Sequence, residues 1–358
     1  VNDDCLKLTC YFGERTRGRH GFVADELLDV YAKQRVAASI MLRGAEGFGL
    51  KHHLRSDLSL SLSEDLPAVA VAVDTRVRIE QVLADVSGID GIGLVTLERA
   101  RMVTGELRPV RLPEQLHEAT KLTVYLGRRE RVGRAPVAVA VCDLLRSRGV
   151  AGAIVLLGVD GTVQGVRRRA SFFGRNAEVP TMVVAVGTGE AVSAVLPDLG
   201  QMLREPLVTL ERVRICKRDG DLVEQPQALP GTDEHGLAMW QKLSIFASDA
   251  ARYDGQPIHR AITGRLRATG ASGVTSLRGT WGYFGDHAPH GDRLLRVGRH
   301  APTLTVAIDT PERIAEAFAV ITEITGHAGL VTAEMVPALR ARSEGDERGG
   351  LGLARHQF

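Results

Sequence analysis

Residues 6–12 alternate apolar and polar side chains, the period of a strand with one buried face. Across 22–34 the period changes: Phe22, Val23, Leu27, Leu28 and Tyr31 fall on one face of a helix. Residues 36–42 form an apolar run of strand length, and 44–65 a long polar stretch that reads as a loop. The Ala-Val run at 68–73 is small and β-branched, which suits a central strand. Asp74 or Thr75 then stands at a helix N-cap, ahead of Val77, Val82 and Leu83 at helical spacing. Residues 93–103 predict the last strand. The resulting order, βαββαβ, is the ferredoxin-like arrangement.

The order occurs three times. Lys7-Leu8-Thr9, Lys121-Leu122-Thr123 and Lys242-Leu243-Ser244 open the units, and Glu98, Glu211 and Glu334 stand in the closing strands. Arg43-Gly44, Leu157-Gly158 and Arg278-Gly279 recur between them, as do Asp74-Thr75, Gly187-Thr188 and Asp309-Thr310. Four markers in one order at nearly equal spacing predict tandem repeats at 1–105, 118–216 and 238–340. Helices are expected at 137–148 and 190–199 in the second repeat, and at 258–268 and 311–324 in the third, where Pro311 suits a first turn. Residues 341–358 are charged and glycine-rich and read as a disordered tail. A four-stranded sheet with helices on one face must bury the other. The fold class expected is therefore α+β: three tandem ferredoxin-like units closing into one intrachain pseudo-trimer, a monomeric chain.

Composition narrows the role. The 45 basic and 43 acidic residues nearly cancel, which leaves no electrostatic footprint for nucleic acid. Aromatics at 4% are too few for base-stacking platforms. Cys5, Cys10, Cys142 and Cys216 form no C-x-x-C pair and read as reduced thiols of a cytoplasmic protein. No leader and no apolar run of membrane-spanning length is visible, so contact with a membrane would go through a partner. No nucleophile elbow, H-E-x-x-H or Walker loop is present, and the expectation is a protein without catalytic residues.

Several short stretches carry a family resemblance. They are 8–13 at the opening strand, 43–49 after the second strand, 63–67 before the third, Asp74-Thr75, and 93–98 at the last strand. Together they resemble the family catalogued as domain of unknown function 190, placed in the PII-like superfamily. The resemblance covers nearly all of the first and third units and the ends of the second. It implies PII-like repeats with ligand clefts between units, a small anionic ligand such as a nucleotide acting as effector, and a long loop that controls a protein partner. Some members resemble accessory proteins of fluoride exporters, so a membrane transporter is one such partner.

The candidate ligand-binding residues lie after the second strand of each unit. They are Arg43, Gly44, Gly47, Phe48 and Gly49 in the first, Gly158 and Gly161 in the second, and Arg278, Gly279, Gly282, Phe284 and Gly285 in the third. Glycine lets backbone N–H groups approach an anion, and arginine adds charge. The plainer reading is a turn that needs glycine, with Phe48 or Phe284 as a packing plug. The second unit lacks both arginine and aromatic there, so fewer than three working sites are expected. Lys7, Lys121 and Lys242 are expected to pair with the glutamate of their own unit, each pair worth a few tenths of a kcal/mol to about 1. Phosphate binding is their sharper alternative. His52-His53, and Asp286, His287, His290 and Asp292, hint at a metal, though solvated loop residues explain them as well. Arg167-Arg168-Arg169 and Arg128 to Arg131 read as solvated faces or contacts for an acidic partner. Three rival roles stay open: a scaffold without ligand, a divalent-metal-binding protein similar to the CutA family, and an enzyme of unknown reaction.

Overall fold

The computed structural model describes residues 2–50, 53–56, 65–115, 118–163, 166–167, 179–285, 290–291, 301–343 and 346–355. The first segment contains β1 (Asn2–Gly13), α1 (Val23–Lys33), β2 (Ala38–Phe48), β3 (Pro67–Thr75), α2 (Arg76–Val86) and β4 (Leu94–Thr104). The second contains β5 (Ala119–Gly127), α3 (Val137–Ser147), β6 (Gly152–Leu157), β7 (Asp160–Val163), β8 (Pro180–Thr188), α4 (Gly189–Met202) and β9 (Leu207–Arg218). The third contains β10 (Trp240–Ser248), α5 (Ile258–Ala268), β11 (Gly273–Arg278), β12 (Trp281–Phe284), β13 (Pro302–Asp309), α6 (Pro311–Thr325) and β14 (Leu330–Val336). After Pro337 come β15 (Ala338–Ser343) and β16 (Asp346–Gly350).

The strands overturn the expected fold class. Nine of them close an antiparallel barrel in the order β1, β4, β9, β14, β10, β13, β11, β2, β3 and back to β1. Three self-contained ferredoxin-like sheets, assembled as a pseudo-trimer, do not describe this. The first and third segments give four strands each to the barrel and the second gives only β9, so the segments are not equivalent within it. The physical cause is strand length. In β2, residues 38–43 pair with β3, and the strand then runs on to pair 44–48 with β11 of the third segment. Likewise β9 pairs 207–213 with β5 and 214–217 with β14. A strand that outruns its own partner leaves N–H and C=O groups bare, and the neighbouring segment satisfies them. The same exchange joins β12 to β6 and β7 to β2.

The helices pack outside, one apolar core under each pair. Val23, Leu27, Leu28 and Tyr31 are buried on α1, each worth roughly 1.5–3 kcal/mol. Phe22 stays part-exposed beneath the Arg17 guanidinium, 5.0 Å from the ring centre. On α2 the buried set is Ile79, Val82 and Val86, while Val77 faces solvent. The Asp-Thr pairs divide two tasks. Thr75 and Thr310 cap helices through Arg78 N (3.4 Å) and Arg313 N (3.5 Å). Asp74 accepts from Ala37 N (2.8 Å) and Asp309 from Ser272 N (2.8 Å), tying helix starts to the second strands. A further apolar cluster, with Ile40, Val71, Ile154, Val184, Phe246 and Leu304, lines the space between the three segments.

The tail is a second correction. β15 follows β14 after one residue and pairs with β4 as far as Ala341, opposite Leu94, and β16 pairs back on β15. Leu339, Ala341 and Ala354 are buried, and Arg99 donates to the Ala354 carbonyl at 2.9 Å. The tail's few apolar residues lie where β4 has an unpaired edge, which composition alone does not reveal.

Candidate ligand cleft and buried charge ring

The glycine stretches are strands rather than loops, and this corrects their expected conformation. Gly44, Gly47 and Phe48 lie in β2, Gly161 in β7, and Gly282 and Phe284 in β12. In each G-x-x-G the first glycine abuts the proline that opens the next long strand. A Cβ on Gly44 would stand 2.7 Å from Pro67 Cγ, on Gly158 2.6 Å from the Pro180 carbonyl, and on Gly279 3.0 Å from Pro302 Cγ. The second glycine abuts a neighbouring segment: Val274 O at 2.6 Å for Gly47, Ser39 O at 2.4 Å for Gly161, and Ala153 O at 2.4 Å for Gly282. Glycine is required here because two strands cross with no room for a side chain.

The residue after each second glycine reaches into another segment. Phe48 joins the helix core of the third segment, and Tyr283 that of the second. Thr162 instead hydrogen-bonds Ser39 of the first at 2.7 Å. Phe284, the aromatic singled out from the sequence, lies one position on, in the central core.

One cleft does collect candidate residues. Gly47, Phe48 and Gly49 line it with Gly13, Gly91, Gly93 and Gly273, and it opens between the first and third segments. Tyr11, Pro67 and Val306 add apolar wall. Its cation is Arg55, which holds Asp65 at 2.9 Å. Arg43 is not in the cleft and pairs with Glu14, and neither Gly44 nor Arg278 lines it. Gly285, at φ 60°, lines a different cleft with Arg146, Arg218 and Tyr283. Gly158, Gly161, Gly279 and Gly282 line neither cleft.

The recurring lysines and glutamates form something the sequence did not foretell. Each lysine does meet the glutamate of its own segment: Lys7–Glu98 at 2.8 Å, Lys121–Glu211 at 3.0 Å and Lys242–Glu334 at 3.1 Å. Each also meets the glutamate of another: Lys7 with Glu211, Lys121 with Glu334, and Lys242 with Glu98 at 2.5 Å. Six charges close a ring, and all six side chains are buried. Burial alone would push the Lys7 ammonium down, but Glu211 and Glu98 outweigh it and hold it well above its usual range. Burial would raise Glu98, yet Lys242, Lys7 and Lys121 hold it well below the usual carboxylate range, and Lys121 and Lys242 lower Glu334. Lys121 is held below its usual value, first by burial. Periodicity revealed the residues, but not the partners across segments.

Residues 5–102, 119–215 and 240–338 each match the family described as DUF190, "Uncharacterized ACR". The chain belongs to the DUF190 family. It carries three DUF190 repeats in tandem, and the matches cover most of its length. Among solved structures it is similar to aspartate kinase from Synechocystis, with 10% identity and a TM-score of 0.25 over 96% of this chain and 45% of that one. It thus spans less than half of that kinase. The regulatory subunit of aspartate kinase from Thermus thermophilus is 11% identical, with a TM-score of 0.24 over 57% of this chain and 95% of that one. Likenesses this weak carry no argument about the DUF190 repeats.

Other candidates sort quickly on the DUF190 scaffold. The carboxylates of Glu98, Glu211 and Glu334 lie within 4.8 Å of one another, close enough for a metal, but the three ammoniums already neutralise them. His52, Asp286, His287 and Asp292 lie outside the described residues, as do Arg168 and Arg169. Arg167 is not a solvated face: it grips Asp25 at 2.6 Å, Asp29 at 2.7 Å and Asp160 at 2.8 Å, bridging the second repeat to α1. The four cysteines are free and buried, and burial pushes the Cys10 and Cys216 thiols up to about 12. Among the described residues no helix is long and apolar enough to cross a membrane.

Proposed function

We propose that this DUF190 protein is a non-catalytic regulator that binds a small anionic ligand, such as a nucleotide, in the cleft between its first and third repeats. The observation that supports this reading best is the composition of the cleft wall. Gly13, Gly47, Gly49, Gly91, Gly93 and Gly273 leave backbone exposed beside Arg55, at a seam between segments. Glycine lets a ligand approach the backbone closely, the Arg55 guanidinium suits an anion, and Tyr11 and Val306 suit an apolar or aromatic body. A ligand seated there touches both segments and biases how β2 sits on β11, from which a protein partner reads occupancy.

The test is a thermal-shift and calorimetric screen of the full chain against nucleotides, inorganic anions and divalent metals. A nucleotide at a hundredfold excess over its Kd adds about 2.7 kcal/mol of stability. Arg55→Ala should weaken that ligand about tenfold, the scale of one charged hydrogen bond. No response to any nucleotide or anion would leave the scaffold reading, and a response to metals alone the metal-binding one.

A further inference from the structure

The first strands of the three repeats place matching side chains around a second cavity, in the middle of the molecule. Lys7, Lys121 and Lys242 form its floor. Two residues along each strand come Thr9, Thr123 and Ser244, and two further on Tyr11, Tyr125 and Phe246. Side chains two apart share one face of a strand, so the three strands stack three rings. Leu42, Val71, Leu156, Val184, Leu277 and Leu304 complete an aliphatic wall.

Two features of this cavity go beyond packing. Among the described residues lining it are all three lysines and none of the three glutamates. The neutral charge ring is therefore polarised, with its ammonium side toward the cavity and its carboxylates behind. Lys7 and Lys242 each spend two N–H groups on carboxylates and keep a third. Second, Thr9, Thr123 and Ser244 are only 4%, 3% and 5% exposed, and all three line the same space, one strand pleat beyond each lysine. Three hydroxyl side chains lining one space beside three lysines offer an acceptor a ring of donors.

We infer that this central cavity binds a small amphipathic anion: a carboxylate head held by the lysine and hydroxyl rings, with a short aliphatic tail along the apolar wall. The lysine and aromatic rows lie four residues apart, roughly 13 Å, which sets a limit of about eight carbons. The site adjoins the proposed cleft through Tyr11, Thr275 and Val306, but neither Arg55 nor Gly49 lines it.

Calorimetric titration of the full chain with sodium acetate, butyrate, hexanoate, octanoate and dodecanoate tests this. Affinity should climb to six or eight carbons and fall at twelve, and hexanoate should bind at least tenfold more tightly than hexanamide. Thr123→Val, which keeps shape and removes a hydroxyl, should weaken hexanoate roughly threefold to tenfold. Val184→Phe should abolish binding by filling the cavity, with Ser244→Ala as a milder second variant, while Arg55→Ala should leave it unchanged. The inference is overturned if no carboxylate binds, if acetate or chloride binds as well as hexanoate, or if binding survives both Val184→Phe and Thr123→Val.

Discussion

At the scale of single residues, the charge ring shows how a repeating sequence can specify a contact that no one repeat contains. Lys7 lies directly opposite Glu98 in the strand register, and that pairing was legible from the order of elements. Its bond to Glu211 was not, because it depends on where the second segment's strand lands. Burial changes the energetics from a pair worth tenths of a kcal/mol to a network in which one missing member is expensive. Lys121→Met leaves Glu211 and Glu334 each short of a partner, and should lower stability by about 3–5 kcal/mol in urea titrations. A loss below about 1 kcal/mol would mean that the ring is wet. The pH dependence has a definite sign. Glu98 and Glu334 titrate lower folded than unfolded, so their stabilisation is fully present above the unfolded value near 4.3. It is lost as pH falls through the folded values. Lys7 and Lys242 titrate higher folded than unfolded, so theirs holds until pH rises past about 10.4. Urea midpoints should be flat from about pH 5 to 9 and fall below about pH 4, more steeply than in a variant with all six ring residues made apolar.

At the scale of elements, helices were legible and strand ends were not. A helix declares itself through spacing, as α1 does with Leu27, Leu28 and Tyr31, and through caps such as Thr75 and Thr310. The far half of β2 carries Gly44 and Gly47, and glycine reads as a loop when the chain that needs its missing Cβ is far away in sequence. The same blindness hid the role of residues 338–355, whose partner β4 lies in the first segment. Ending the chain at Pro337 removes β15 and uncovers the edge of β4. Loss of the burial of Leu339 and its alanine neighbours should cost about 2–4 kcal/mol, read as a lower melting temperature. A truncated chain that melts with the full one would show that the tail is an ornament.

At the scale of the whole molecule, the segments share strands, a charge ring and a central core, so none of them is a closed domain. The first segment alone would leave residues 44–48 of β2 and the outer length of β4 without partners. The cleft and the central cavity likewise exist only where segments meet. The repeats themselves were legible because their markers recur at nearly equal spacing. The barrel was not, because repetition states how often a unit occurs and not which strands it lends to its neighbours. Equilibrium urea unfolding of the full chain, followed by the fluorescence of Trp240 and Trp281 and by far-ultraviolet circular dichroism, tests this joining most directly. Both tryptophans belong to the third segment, whereas dichroism reports on all three. One transition with coincident midpoints is the result expected of a closed barrel. Two or three separated transitions, with fluorescence following only one, would contradict it.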